Sequence, residues 1–249
     1  MDILSCGAGM QSTALALMSC ENAISRKPVH PAVPVYDAVV YCDLGFEPPW
    51  VQKQVDFIRR SCQSAGIPFK VIDAPLYTDF MRNFGLRRTI SIPWWTIRAD
   101  GHKAKMPRYC TIDYKINAIA KYLRWDLLGY KKGQRLRERD KKAHFMHIGF
   151  SVEEKKRCRA STNPLYHNRF PLVEMGYRRS DSYAYILEVW GLETRASACT
   201  FCPFHRNHFF QYLKEHVPEQ FKQLVEIDNL LRDRTPKPPM DSDLYISRS

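Results

Sequence analysis

Apolar runs and stretches of helical period alternate along this chain. Ile3 to Cys6 is a short run of the kind a buried strand needs. From Ser12 to about Ile24 cap-type residues lead into strong helix formers. Ala38 to Cys42 and Phe69 to Asp73 are two more strand-length runs. Between them Val51, Val55, Ile58 and Cys62 recur at helical spacing, which predicts a helix from about Pro49 to Ala65 with Cys62 as a small core residue. Pro28, Pro31 and Pro34 keep the first helix-to-strand connection irregular. Strand, helix, strand, helix, strand in this order predicts a parallel sheet with right-handed crossovers, hence an α/β fold.

Later in the chain the pattern is less regular. Thr78 to Arg82 suits a short helix. Phe84 to Lys105 has little periodicity and mixes Trp94 and Trp95 with Arg87, Arg88, Arg98, His102, Lys103 and Lys105. It is expected to be a loop or lid over a ligand edge, since basic and aromatic groups together suit a nucleotide, or equally a packed loop anchored by Trp94 and Trp95. Ile112, Ile116, Ile119 and Leu123 predict a helix with Cys110 and Thr111 at its start. Phe145 to Gly149 reads as a strand, and Ser151 with Glu154 as a capping box at the start of the next turn. Ser182 to Gly191 is a helix ending at its glycine. Helices from about His208 to Glu215 and Pro218 to Leu231 precede an irregular tail marked by Pro236, Pro238 and Pro239. The expected organisation is an α/β domain over 1–195 and a small helical subdomain with a cysteine segment over 196–249.

With 249 residues, one sizeable domain with an appendage is expected. No run of about eighteen apolar residues occurs, so no membrane partner is expected. A core strand follows Met1 at once, which predicts a cytoplasmic protein without a signal peptide. Its eight cysteines would then stay reduced and serve metal binding or catalysis before disulfides. The net charge of +12 points to an anionic partner, and the excess is concentrated. Arg124, Lys131, Lys132, Arg135, Arg137, Arg139, Lys141 and Lys142 crowd one stretch. That stretch, 124–142, is a candidate contact surface for the phosphates of tRNA or DNA. Oligomeric state is left open, with a dimer the first candidate.

The candidate chemistry starts where the first strand ends. Gly7 and Gly9 allow a tight turn, and Ser12 and Thr13 open a helix whose free N–H groups and dipole favour phosphate. A P-loop would need a lysine that is absent, and the dinucleotide fingerprint a third glycine where Ser12 stands. Asp43 closes the second strand beside Gly45, at the sheet edge where α/β proteins bind ligands, and could meet ribose, adenine or a magnesium-bound water.

Gly7-Ala8-Gly9-Met10-Gln11-Ser12-Thr13 resembles the PP-loop of the ATP pyrophosphatase superfamily, written Ser-Gly-Gly-x-Asp-Ser-Thr. It departs at Gly7, Ala8 and Gln11, the last removing a carboxylate that could help hold Mg²⁺. Arg108-Tyr109-Cys110-Thr111-Ile112-Asp113-Tyr114-Lys115-Ile116 resembles a motif of the phosphoadenylyl-sulfate (PAPS) reductase branch, in a form seen in uncharacterised, phage-like relatives. Those relatives carry Gly-Ile-Ser-x-Asp-Glu-x-x-Arg where Gly149 to Arg157 stand here. The resemblance implies an adenine nucleotide α-hydrolase-like, Rossmann-like fold. It implies ATP with Mg²⁺ on Ser5, Gly7, Ala8, Gly9, Gln11, Ser12, Thr13, Asp43 and Gly45, and catalytic roles for Cys110, Lys115 and Arg157.

Cys199-Thr200-Phe201-Cys202-Pro203 has metal or redox spacing. One pair cannot saturate a metal. The resemblance makes Cys110 the third ligand, with Cys158, His205 or His208 as candidates for a fourth. A [4Fe–4S] cluster is the first expectation and Zn²⁺ the alternative. The function expected is adenylation of a substrate with release of pyrophosphate, for sulfur transfer to nucleic acid. A reductase of PAPS or a similar sulfonucleotide is the alternative, although no Glu-Cys-Gly-Leu-His segment of true reductases is present. A catalytically inactive nucleotide- or nucleic-acid-binding module is the third possibility.

Overall fold

The computed structural model describes residues 1–84, 91–97, 101–233 and 243–246. In chain order the described strands are β1 (Asp2–Cys6), β2 (Ala38–Asp43), β3 (Phe69–Asp73), β4 (Trp95–Ile97), β5 (Lys103–Lys105), β6 (His144–Ile148), β7 (Tyr166–Arg169) and β8 (Asp243–Tyr245). The α-helices are α1 (Met10–Ser25), α2 (Pro49–Ser64), α3 (Leu76–Asn83), α4 (Asn117–Tyr122), α5 (Pro171–Glu174), α6 (Arg179–Trp190), α7 (Asn207–His216) and α8 (Pro218–Asp233). The chain forms two compact units, one of Met1–Asp43, Pro49–Ala74 and Asn117–Ser197, the other of Leu44–Pro48, Pro75–Ile116 and Ala198–Ser249.

The first unit is built on a five-stranded sheet in the order β3-β2-β1-β6-β7, every pairing parallel. The central strands are continuous apolar runs because both of their faces are buried. Leu4, Cys6, Val39 and Tyr41 face a core shared with α1 and α2, while Ile3 and Val40 are also fully buried. Helix α1 is buried nearly all round from Ser12 to Cys20, lying against α2 and α6. Cys62 is fully buried, its sulfur 3.9 Å from that of Cys20. Gly191 takes the left-handed conformation (φ 64°) that ends α6.

The second unit has a core of rings. The Phe201 ring lies 6.0 Å from those of Phe46, Tyr77 and Trp94, stacked on the first two and tilted to the third, and Phe80 lies 5.3 Å from Trp94. A three-stranded antiparallel sheet, β5-β4-β8, occurs where the sequence predicts only loop and tail. Strands of three residues are too short to show alternation. Arg87, Arg88, Arg98, Pro236, Pro238 and Pro239 lie outside the described residues. Ile112–Ile116 is wound as a π-helix, with Ile112 and Ile116 exposed, so the apolar period there does not mark a buried face. In the first unit Ile119 and Leu123 are buried as that period predicts. No described helix is long and apolar enough to cross a membrane.

Candidate functional site

Strand order reverses across β1: β2 lies on one side and β6 on the other. In a parallel sheet the turns after two such strands flank a crevice at the carboxyl edge, the usual ligand position. Here those turns are Gly7–Gly9, after β1, and Gly149–Ser151, after β6. The second is seated against the first turn of α1, since a β-carbon on Gly149 would lie 2.8 Å from the Ser12 nitrogen and 3.0 Å from the Gln11 carbonyl carbon. Only glycine fits there, a requirement set by a neighbour remote in sequence.

The first turn is tightly cross-braced. The Gly7 N–H donates to Ser12 Oγ (3.1 Å), and Ser12 Oγ donates to the Gly9 carbonyl (3.2 Å). Thr13 Oγ1 and N–H both reach the same carbonyl at 2.9 Å. Ala8 is left-handed (φ 54°), a conformation costing a non-glycine residue about 1–2 kcal/mol. Gln54, buried in α2, holds it: Nε2 donates to the Ala8 carbonyl (2.5 Å), and Oε1 accepts from the Arg195 N–H (2.6 Å). Ser197 closes the other side, 2.9 Å from where a Gly9 β-carbon would be. Gly9 caps α1 without a side-chain hydrogen bond, and no acidic residue stands in the first turn. A helix N-terminus of this kind suits an anion. Gln54 and Ser197 carry no motif in the sequence.

Gln11 marks the largest departure from the sequence expectations. Its Nε2 donates to Glu154 Oε2 (2.7 Å) and lies 3.4 Å from Ser151 Oγ. The capping box expected of Ser151 and Glu154 is not formed: Ser151 makes no side-chain cap bond, and the turn Val152–Arg157 is a 3₁₀-helix. Glu154 serves Gln11 and Arg157 instead, with Arg179 Nη2 at 3.9 Å. Arg157 is exposed and lies over the Phe150 ring at 4.3 Å. Asp43 ends β2 in register with Asp73, and Ser5 sits within β1 between Val40 and Ile148. Gly45 belongs to the second unit, where its positive φ (86°) requires glycine.

The second unit holds the other group of expected site residues: Cys110, Lys115, Cys199 and Cys202. Phe201, at the centre of the ring cluster, fixes the segment between the two last cysteines, and the Thr200 N–H donates to the Phe46 carbonyl (2.9 Å). Burial pushes the Cys199 thiol up; Lys115 opposes this, while Glu47, Cys202 and Cys110 add to it. Burial also raises Cys202, against the pull of a Phe204 backbone hydrogen bond and of Arg108. The same desolvation moves Glu47 up to about 7, with Lys115 opposing. The Cys110 N–H is bound by the Ser91 carbonyl (2.7 Å), so that amide is not offered to an anion.

His205 does not present Nε2 as a ligand. That atom lies 2.9 Å from the Cys199 carbonyl, and burial lowers the imidazole to about 4. Cys158 ends the 3₁₀ turn of the first unit. Among the described residues no three His, Cys, Asp or Glu stand where they could hold a metal ion. The donor chemistry of three neighbouring thiols suits a soft metal, but their arrangement is not a ready-made ligand set.

No family model matches the chain, and no curated protein matches it. Among solved structures it is similar to the U34-tRNA thiolase NcsA from Methanococcus maripaludis with its [4Fe-4S] cluster. The identity is 13% and the TM-score 0.42, over 97% of this chain and 76% of that one.

Proposed function

We propose that the chain is an ATP-binding enzyme of the PP-loop kind that adenylates an acceptor, releases pyrophosphate and serves sulfur transfer to nucleic acid. The observation that carries this is the braced turn between β1 and α1, seated against the β6 turn at the point where strand order reverses. Phosphates would lie on the first-turn amides of α1, which no side chain caps. An acceptor oxygen would attack the α-phosphorus; the bond to the β-phosphate oxygen breaks and pyrophosphate leaves. Amides aimed at the phosphates would stabilise the charge that develops.

Mg²⁺, when bound, would offset the negative charge of the phosphates. Glu154 is the carboxylate nearest the position that Gln11 leaves neutral, and Asp43 is the other candidate on this edge. Arg157 would meet the anion from the same turn. Cys110, Cys199 and Cys202 are the residues that would hold a [4Fe–4S] cluster or Zn²⁺, with Cys158 the candidate fourth; such a group would carry or activate sulfur. Lys115 lowers the cost of negative charge on Cys199. Exposed cations of 124–142 would receive the nucleic acid.

Pyrophosphate release tests the first half. Purified protein with ATP and a tRNA or DNA pool should release pyrophosphate, and Ser12→Ala should abolish most of it. No release under any acceptor, with ATP bound, would leave a nucleotide-binding module. Anaerobic purification with iron, sulfide and zinc analysis tests the second half: metal lost in Cys110→Ala but retained in Cys158→Ala would exclude the fourth ligand.

A further inference from the structure

Within the first unit, away from the Gly7–Thr13 turn in sequence, a hollow of about 400 Å³ opens between the helical stretch Asn117–Leu127 and the loop 163–165. That volume is in the range of small-ligand sites. Trp125 stands on its rim with 42% of its surface exposed, an uncommon state for the largest apolar side chain, and Lys121 lies 5.9 Å from its ring. Arg124 lines the hollow, its Nε buried without a hydrogen-bond partner. Asn163 uses Oδ1 to accept from the Leu165 N–H, which leaves its amide NH₂ to donate.

The walls are fixed. Lys142 Nζ donates to the carbonyls of Ser161 (2.7 Å) and Tyr166 (3.1 Å), and its N–H to that of Pro164 (2.7 Å). On the other side Tyr130 OH donates to Asp140, and accepts from the Arg137 N–H (2.9 Å) and Nε (3.1 Å). Arg124 Nη2 donates to the Gln134 carbonyl. The basic stretch is thus an ordered platform beside the hollow. Four of its cations are tied: Arg137 to Asp140, Lys141 to Glu138, and Arg124 and Lys142 to carbonyls. Lys131, Lys132 and Arg135 are exposed and, among the described residues, pair with no carboxylate.

We propose that this hollow takes one unpaired nucleotide of a nucleic acid, its base stacked on Trp125 and its flanking phosphates on Lys121, Lys131, Lys132 and Arg135. A π-face, an amide edge and free cations in one place match the three parts of a nucleotide. A duplex cannot present an unstacked face without flipping a base. The nucleic-acid acceptor of the proposed function would therefore be engaged in a loop or single strand, and the inference rests on that reading for its biological role only.

Fluorescence anisotropy with labelled single strands of about twelve nucleotides, as RNA and as DNA, and with the matching duplex, tests this. Wild-type protein should favour single strands over duplex. Trp125→Ala should weaken binding about ten- to a hundredfold, and Trp125→Phe should keep most of it. Lys131→Ala with Lys132→Ala should flatten the salt dependence. The RNA and DNA arms identify the sugar through the 2′-hydroxyl. Equal affinity of wild type and Trp125→Ala, or a preference for duplex, would overturn the proposal. ATP binding by Trp125→Ala, measured alongside, should be unchanged and so show an intact fold. Strand binding that depends on Trp125, in a protein that never releases pyrophosphate, would keep the hollow and remove the adenylating reading.

Discussion

Gly149→Ala is the sharpest probe of the proposed phosphate turn. The added methyl would lie 2.8 Å from the Ser12 nitrogen and 3.0 Å from both the Gln11 carbonyl carbon and Ser12 Cα. Comfortable contact begins near ~3.5 Å, so the overlap is roughly half an ångström against three atoms. All three are backbone, and none can swing away as a side-chain tip would. Gly149 has no positive φ, so the substitution adds no conformational strain of its own. Relief requires the start of α1 or the β6 turn to move. Overpacking of this kind costs about 1–3 kcal/mol, and a chain of this size loses about 2–4 °C of Tm per kcal/mol. The first-turn amides would shift by a similar half ångström, which should weaken ATP at least about tenfold. Scanning fluorimetry and titration calorimetry with a non-hydrolysable ATP analogue read both effects. Gly7→Ala is the control for stability, because its β-carbon would meet only Ser197 Oγ, at 3.9 Å. A Gly149→Ala protein that melts and binds like wild type would refute the close seating. Lost stability with full affinity would refute its link to phosphate binding.

Three further outcomes are expected. Glu154→Gln should leave Mg²⁺-free ATP binding largely intact and remove most of its strengthening by Mg²⁺; calorimetry with and without Mg²⁺ shows which. Gln54→Ala strands the Arg195 N–H and the Ala8 carbonyl and should cost about 1–3 kcal/mol, read as a denaturant midpoint shift. For Glu47, burial lifts the carboxyl from 4.5 to about 7, so the folded state holds a proton that the unfolded chain has released. Stability should then fall as pH rises from about 4.5 to 7, by roughly 3 kcal/mol. Glu47→Gln should flatten that slope in metal-free protein, and an unchanged slope would count against it.

Four strands of the parallel sheet were legible because its central strands are buried on both faces and the helices between them keep a clear period; the edge strand β7 was not. Val51, Val55, Ile58 and Cys62 needed only their spacing to be placed. The short strands β4, β5 and β8 were not legible, since three residues carry no pattern and β8 lies far along the chain from its partner β4. Ile112 and Ile116 kept helical spacing yet face solvent, because a wide π turn changes which residues share a face. Ser151 and Glu154 matched a local motif that a partner 143 positions away, Gln11, outcompetes. The turn of Gly7–Thr13 announced itself through its glycines. Its braces did not: Ala8 is an ordinary alanine in sequence, and Gln54 an ordinary polar residue in a helix.

The interleaving of the two units imposes an order on synthesis. A ribosome working from Met1 has delivered every segment of the first unit by Ser197, whereas the second still lacks Ala198–Ser249. Phe201 is in that segment, so the ring cluster that fixes the spacing of Cys199 and Cys202 forms only after every segment of the first unit has been made. Until then Cys110 stands without Cys199 and Cys202. A nascent chain stalled before residue 198 would carry the Gly7–Thr13 turn without the ring cluster.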